Sequence, residues 1–392
     1  MRIAILTCGI LPIPAVQGGA VENLIDFYLE YNNIHKQHDI TVYSPWDPKV
    51  KTHSALSSGV NHYTYIDVTS LKARFKRKVY GYFHRHEYYN HFIEYYFEEV
   101  YSSLKKRNFD IIILENCPGY AYKLSQRGYH NLMLHLHNEL LHSSSRYHDI
   151  IFNSLKKILT VSNYIKERVS TIQSSNKIQT IYNGIDLKKF FPKVNSSISR
   201  NTLGFSKNDF VMIYSGRINK EKGVSELIDA MLLLKDSPQI KLMIIGGSFF
   251  GNTNNEDNFI RSLKEKAKEI ENQIVFTGFI PYEKMPNYLQ LADIAVIPSI
   301  WNDPFPTTVL EAQAMGLPII TTRRGGIPEE VSDNAILLET DEHIIENLAS
   351  AILNLYQHPG KRELMAELSL EHSKKFDKAL FAGSFLKALC SK

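Results

Sequence analysis

Two carboxylates, Asp303 and Glu311, stand eight residues apart in the stretch DPFPTTVLEAQAMG, Asp303–Gly316. Asp303 opens a turn broken by Pro304 and Pro306, and Glu311 falls one turn inside a helix entered at Thr307. Leu310, Ala312 and Ala314 make that helix small and mostly apolar around Glu311. The first amides of a helix lack intrahelical acceptors and, with the helix dipole, favour an anion. The stretch offers an anion seat between two carboxylates, or a plain loop and helix with Asp303 forming the turn and Glu311 solvated. Upstream, Ser215-Gly216-Arg217 is followed by Lys222-Gly223 and a helical pattern. Two cations held by glycine turns beside a helix start suit a diphosphate, although exposed cations in an ordinary βα loop would carry the same residues. His137 follows the apolar LMLHL, with His135 alternating to the same side. It is either a structural hydrogen-bonder or a contact to a ligand at a strand end. Ser162 reads as a helix N-cap or a ligand contact, and Gly18-Gly19 as a turn or a close backbone approach to a ligand.

The elements that must position these residues alternate. Apolar runs predict strands at Arg2–Thr7, Ile40–Tyr43, Asp110–Leu114, Leu132–Leu136, Ile158–Val161 and Ile178–Tyr182, with helical patterns between most of them. The pattern fades between Asp186 and Asp209 into KKFFPKVNSSISRNTLGFSKN, a linker composition. It resumes with strands at Phe210–Tyr214, Lys241–Ile245, Ile274–Phe276, Ile294–Ile297, Pro318–Thr321 and Ala335–Leu338. Helices are expected at Asn258–Ile270, near Lys284–Leu291, and from Asp341 to about Tyr356. Such alternation predicts an α/β protein with two doubly wound, Rossmann-like domains, residues 1–190 and 207–373. A last helix within residues 374–392 would pack back on the first, and the two sets of strand ends would line a cleft.

A chain of 392 residues, 44% hydrophobic and 22% charged, is long enough for two soluble cores. Its net charge of +4 is too small to argue for nucleic acid. Cys8, Cys117 and Cys390 show no metal spacing, so unpaired thiols in a reduced, cytoplasmic compartment are expected. IAILTCGIL after Arg2 reads as a buried strand rather than a leader, and no apolar run is long enough to span a bilayer. The segment Leu71–Arg107 stands out. Lys72, Arg74, Lys76, Arg77, Lys78 and Arg85 precede the first acid, Glu87, with many Tyr and Phe among and after them. It suits a peripheral membrane surface, or else a solvated basic loop followed by an aromatic-faced core helix. No RNA- or DNA-binding motif accompanies it.

Taken in order, these motifs resemble the family 4 retaining glycosyltransferases of the GT-B fold. The resemblance runs through QGGAVE, His137, Ser162, Asn183-Gly184-Ile185-Asp186, Gly216-Arg217 with Lys222-Gly223, Thr277–Ile280, Ala292–Ser299, and Asp303–Glu311 with EAQAMGLPII. It implies two Rossmann-like domains facing a central cleft. It implies a nucleotide-sugar donor, a UDP-sugar, and a saccharide or lipid-linked saccharide acceptor of a cell-surface glycan. Arg217 and Lys222, beside Gly216, would hold the diphosphate; Glu311 would take the ribose hydroxyls and Asp303 those of the donor sugar. Phe305 with the amides near Thr307 and Thr308 would meet sugar or phosphate, and the backbone near Ile280 would meet the base. Gly19 would approach the diphosphate from the other domain, His137 would lie by the reacting face, and Ser162 and Asn183 would complete the substrate contacts. With no DxD cluster, no metal and no cofactor are expected, the cations stabilising the leaving group instead. Two positions depart from the family: Asp303 stands for Glu, and Pro306 for Gly, which removes one N–H. A nucleotide-sugar epimerase, or a non-catalytic surface or coat protein on the same fold, are the alternatives.

Overall fold

The structure, a computed structural model, describes residues 1–56, 59–84, 88–193, 196, 198–247 and 257–390. It divides into two compact units, Met1–Asn183 with Ala379–Lys392, and Gly184–Lys378.

The first unit is built on seven parallel strands: β1 (Arg2–Leu6), β2 (Asp39–Pro45), β3 (His62–Ile66), β4 (Ile111–Glu115), β5 (Leu132–Leu136), β6 (Leu155–Thr160) and β7 (Ile178–Thr180). Their order is β3-β2-β1-β4-β5-β6-β7. Runs such as Ile3–Leu6 and Ile112–Leu114 are buried throughout. A parallel sheet covered by helices on both faces demands this, and it is why these strands read as unbroken apolar runs. The Ala20–His35 helix buries Leu24, Ile25 and Tyr28. The closing helix, Lys378–Cys390, lays Phe385 flat on Tyr28 with ring centroids 4.2 Å apart. β3 was not anticipated: HYTYI is a half-buried strand at the sheet edge, and its polar residues hide the pattern.

The basic-aromatic segment splits in two. Leu71–Phe83 is a helix rather than a loop. The His91–Leu104 helix that follows turns Tyr95, Tyr96 and Phe97 into the core, so the aromatic half is structural. Arg85 and Glu87 lie outside the described residues.

The cysteine expectation fails for one pair. Cys8 and Cys117 are joined in a disulfide across 109 residues. β1 and β4 pair in register, Leu6 opposite Leu114, so the residues just past both strands meet. Cys390 is free and exposed.

The second unit has six parallel strands: β8 (Phe210–Ser215), β9 (Ile240–Ile245), β10 (Ile274–Gly278), β11 (Ile294–Ile297), β12 (Ile319–Thr322) and β13 (Ala335–Leu338), in the order β10-β9-β8-β11-β12-β13. The Val224–Leu233 and Ile344–Gln357 helices share its core, with Leu227, Ile228, Leu348 and Ile352 fully buried. A Pro359–Ser373 helix, unexpected from sequence, buries only Met365, Ser369 and Ser373, too few apolar positions to announce it. The linker-like stretch starting at Asp186 also belongs to this unit. Ile185 bridges Asp377, and the Lys378 ammonium meets the Asp186 carboxylate at 2.9 Å. Phe190 is buried against Tyr282, with ring centroids 5.3 Å apart. One aromatic anchor thus turns a polar stretch into part of the fold.

Candidate active site

In the second unit the strand order reverses between β8 and β11, where a doubly wound sheet opens a crevice at its carboxyl ends. Gly216 leaves β8 with φ +143°. A Cβ on Gly246 would fall 1.8 Å from the Gly216 carbonyl oxygen, so two backbones touch there. The Tyr214 hydroxyl donates to the Arg217 carbonyl at 2.6 Å and pins the loop. Lys222 closes a single 3-10 turn, and Gly223 (φ +70°) starts the Val224–Leu233 helix. A Cβ on Gly223 would lie 1.8 Å from the Pro298 carbonyl oxygen. The Glu221 carbonyl accepts the N–H groups of Ile300 (3.0 Å) and Trp301 (3.1 Å), which stitches the loop after β8 to the loop after β11. Gly223→Ala is therefore expected to cost about 3 kcal/mol, through strain and clash together. Thermal melting without ligand checks it.

Asp303 sits in the loop so tethered, largely buried, with its Oδ2 on the Lys222 ammonium. A third loop closes over it. The Gly326 N–H donates to the Asp303 carbonyl at 2.7 Å, and a Cβ on Gly325 would fall 2.2 Å from that same oxygen. Phe305 is buried and meets Phe376 edge-on, so its ring anchors the turn. The Thr307–Ala314 helix starts after Pro306 with no side chain capping it. Glu311 is buried one turn further in. Burial pushes its carboxyl up to about 8, against the Thr307 hydrogen bond and the Lys189 charge. Tyr282, buried nearby, feels the Glu311 charge, and the Lys189 ammonium lies 4.8 Å from the Tyr282 ring centre. Ile280 is half-buried just beyond β10. Gly216, Arg217, Lys222, Asp303, Phe305, Thr307, Thr308 and Glu311 all occupy this end of the second sheet.

The sequence reading missed Glu330. It is fully buried, neither carboxyl oxygen has a hydrogen-bond partner, and burial, reinforced by Asp303 and Glu329, pushes its carboxyl well above the usual carboxylate range. An acid at the end of GGIPEE gives no hint that it turns inward.

In the first unit His137 does not stand alone. Glu115 ends β4 opposite His135 of β5 and is buried. Its Oε2 lies 3.0 Å from His135 Nδ1 and 3.1 Å from His137 Nε2, and its Oε1 accepts from the Tyr28 hydroxyl at 3.0 Å. Burial alone would raise the Glu115 carboxyl, but the two histidines outweigh it and bring it down to about 2. Burial and His135 lower His137 to about 4, against the pull of Glu115. His137 is therefore neutral at neutral pH. A carboxylate can only accept, so the ring proton sits on Nε2 and the lone pair on Nδ1. Among the described residues, Glu115, His135 and His137 are also the group of three whose atoms lie close enough to share a metal ion. Glu115 could have been found by the strand-end rule that singled out His137.

Ser162 is buried and accepts the Ile165 N–H at 3.2 Å, the N-cap of its two readings. β5 and β6 end side by side, with the Val161 N–H on the Leu136 carbonyl (3.3 Å), so Ser162 and His137 leave neighbouring strands. Gly19 (φ +107°) precedes the first helix, whose Glu22 is pushed up to about 7 chiefly by burial. Asn183 is buried at the end of the first unit.

Known proteins agree with this construction. The sequence model described as "Glycosyl transferases group 1" matches residues 195–371, and that of "Glycosyltransferase Family 4" matches residues 31–189. The chain belongs to the family 4 glycosyltransferases, and its two parallel-sheet Rossmann-like units are those of the GT-B fold. Spore coat protein SA of Bacillus subtilis (strain 168) is 28% identical over 384 residues, 94% of this chain and 93% of that protein. The putative glycosyltransferase YtcC of the same strain is 29% identical, covering 88% of this chain and 80% of its own. Anabaena HepE, solved in complex with UDP, matches the fold with a TM-score of 0.75 at 20% identity over 100% of both chains. Among the described residues no helix is long and apolar enough to cross a membrane.

Proposed function

We propose that this glycosyltransferase moves a sugar from a UDP-sugar to a saccharide or lipid-linked saccharide acceptor, with retention and without a metal or cofactor. The observation that carries this is the Lys222–Asp303 pair at the β8/β11 reversal, with Arg217 on the same loop and Glu311 one turn inside the uncapped helix. Breaking the bond between the anomeric carbon and the β-phosphate oxygen leaves negative charge on that oxygen. Arg217, Lys222 and the first amides of the Thr307–Ala314 helix stabilise it. The acceptor hydroxyl attacks from the same face and its proton passes to the departing phosphate, so no side chain need become glycosylated. Lys222 occupies Oδ2 of Asp303, which leaves Oδ1 for a hydroxyl of the donor sugar. HepE supports the choice of nucleotide, having been solved with UDP and with UDP-glucose.

A thermal-shift screen of nucleoside diphosphates and nucleotide-sugars tests the donor site, with UDP and a UDP-sugar expected to stabilise the protein. No shift with any of them removes the assignment. An epimerase would turn over the UDP-sugar without acceptor. The coat-protein reading, which one relative's name carries, requires function to survive Arg217→Ala and Glu311→Ala.

Glu311 gives this reading a pH dependence. Its ionised form accepts both ribose hydroxyls, yet burial keeps it protonated up to about pH 8. UDP affinity is expected to rise between about pH 6.5 and about pH 8.5, and to rise less in Glu311→Gln. Calorimetric titration of both proteins isolates the effect, because ionisation of the UDP phosphate is common to the two.

A further inference from the structure

The Leu71–Phe83 helix wears its apolar side chains outside. Leu71 is 83% exposed, Phe75 70%, Tyr82 67% and Phe83 74%, and Val79 is exposed as well. At about 100° per residue these five form one stripe. Lys76 borders it on one side and Arg74 and Lys78 on the other, Lys72 lies within it beside Phe83, all four are exposed, and the helix carries no acid. The opposite face holds it to the protein. Ala73 is buried, Tyr80 meets Tyr95 edge-on at 6.1 Å, and the Arg77 guanidinium lies 4.2 Å from the Phe92 ring centre. The next helix adds a half-exposed Phe92 to the same surface, and Ile10, 66% exposed, lies beside it. A cavity of about 560 Å³ opens between the two helices, lined by Arg74, Arg77, Lys78, His91, Phe75 and Phe92.

We propose that this helix and the cavity beside it seat the protein on an anionic lipid surface. The apolar stripe enters the headgroup–acyl boundary, and the flanking cations and the cavity take lipid phosphates. Charge complementarity selects this occupant. A protein interface of ordinary composition is depleted of Lys, whereas an apolar stripe bordered by cations on both sides is what a negatively charged bilayer attracts. Nothing in the argument depends on the donor-site reading, and the helix lies wholly within the first unit.

The test is flotation of the full chain with phosphatidylcholine vesicles, with and without phosphatidylglycerol. Binding is expected only with phosphatidylglycerol and should fall steeply with salt. Each cation removed should lower partitioning roughly fivefold, so K72E/K76E should lose well over tenfold. F75S/Y82S/F83S should lose comparably even at low salt, because cations alone do not insert. These side chains are exposed, so unchanged melting confirms that the variants fold. Equal binding by the apolar variant would reduce the surface to unspecific charge and overturn the proposal. So would absence of flotation, or a concentration-dependent dimer that F75S disrupts, which would make the stripe an interface with a second copy.

Discussion

Lys222→Ala is expected to lower turnover by about 10²–10³-fold, the usual loss when one fixed group facing a developing oxyanion is removed. The expectation rests on how firmly the ammonium is placed. Lys222 is held between the Glu221 carbonyl, which is tied to the loop after β11, and Gly223, which no larger residue can replace without striking Pro298. Its partner Asp303 holds the ammonium directly through Oδ2. The variant also strands a largely buried carboxylate, so part of the damage will be to stability, about 3 kcal/mol for a pair this buried. Asp303→Asn separates the two effects. On the proposed reading it frees Lys222 for the diphosphate while removing the carboxylate assigned to the donor sugar, so UDP binding should persist and kcat should fall. In Lys222→Ala, UDP binding and kcat should fall together. Measuring kcat, KM and melting temperature for both variants decides the matter. A Lys222→Ala protein that melts normally and turns over within a few-fold of wild type would show that the lysine does not touch the leaving group.

What could be read in the chain was local. Ile294–Ile297 and Leu132–Leu136 are strands to the residue, because a strand buried on both faces is apolar nearly throughout, and the one polar residue between them, His135, is satisfied by Glu115. Arg217, Lys222, Asp303 and Glu311 announced themselves as charged residues beside glycine and proline turns at strand ends. What escaped was what only register or burial creates. Lys222 and Asp303 are 81 residues apart, and nothing in either neighbourhood says that they pair. Cys8 meets Cys117 because β1 lies beside β4 in phase. HYTYI escaped because an edge strand tolerates polar residues, and the stretch at Phe190 because composition outvoted a single buried ring. Glu330 escaped because a four-residue helix gives no periodicity from which to judge its inward face.

Glu115 is the omission with the greatest consequence, and its replacement by Ala is expected to destabilise the first unit by about 3–5 kcal/mol. One carboxylate answers three buried groups, the Tyr28 hydroxyl and the facing nitrogens of His135 and His137, and alanine would leave all three without it. Glu115→Gln keeps the shape and one acceptor, so it should recover part of the loss. The same cluster sets an acid limit. Glu115 is depressed from 4.5 to about 2, so its contribution is complete above pH 4.5 and is lost as pH falls toward 2. His137 is lowered from 6.5 to about 4, so the fold favours the neutral ring, and stability declines as pH drops from 6.5 toward 4. In both windows the unfolded chain binds the extra proton, and the two losses run in the same direction. Without the carboxylate, the opposing pull on His137 disappears and its pKa should fall further. That shift costs the variant further stability in acid and opposes part of the change, but the stability gap between wild type and Glu115→Gln should still narrow below pH 4.5, because the carboxylate's own advantage is titrated away there. Hydrogen exchange at the amides of β4 and β5, followed across this pH range in both proteins, reads that gap locally. A gap that stayed constant through the acid range would mean that Glu115 is not held ionised by its histidines. If activity on the nucleotide-sugar falls in Glu115→Ala and returns partly in Glu115→Gln, the carboxylate acts through the orientation of His137, whose Nε2 proton it fixes.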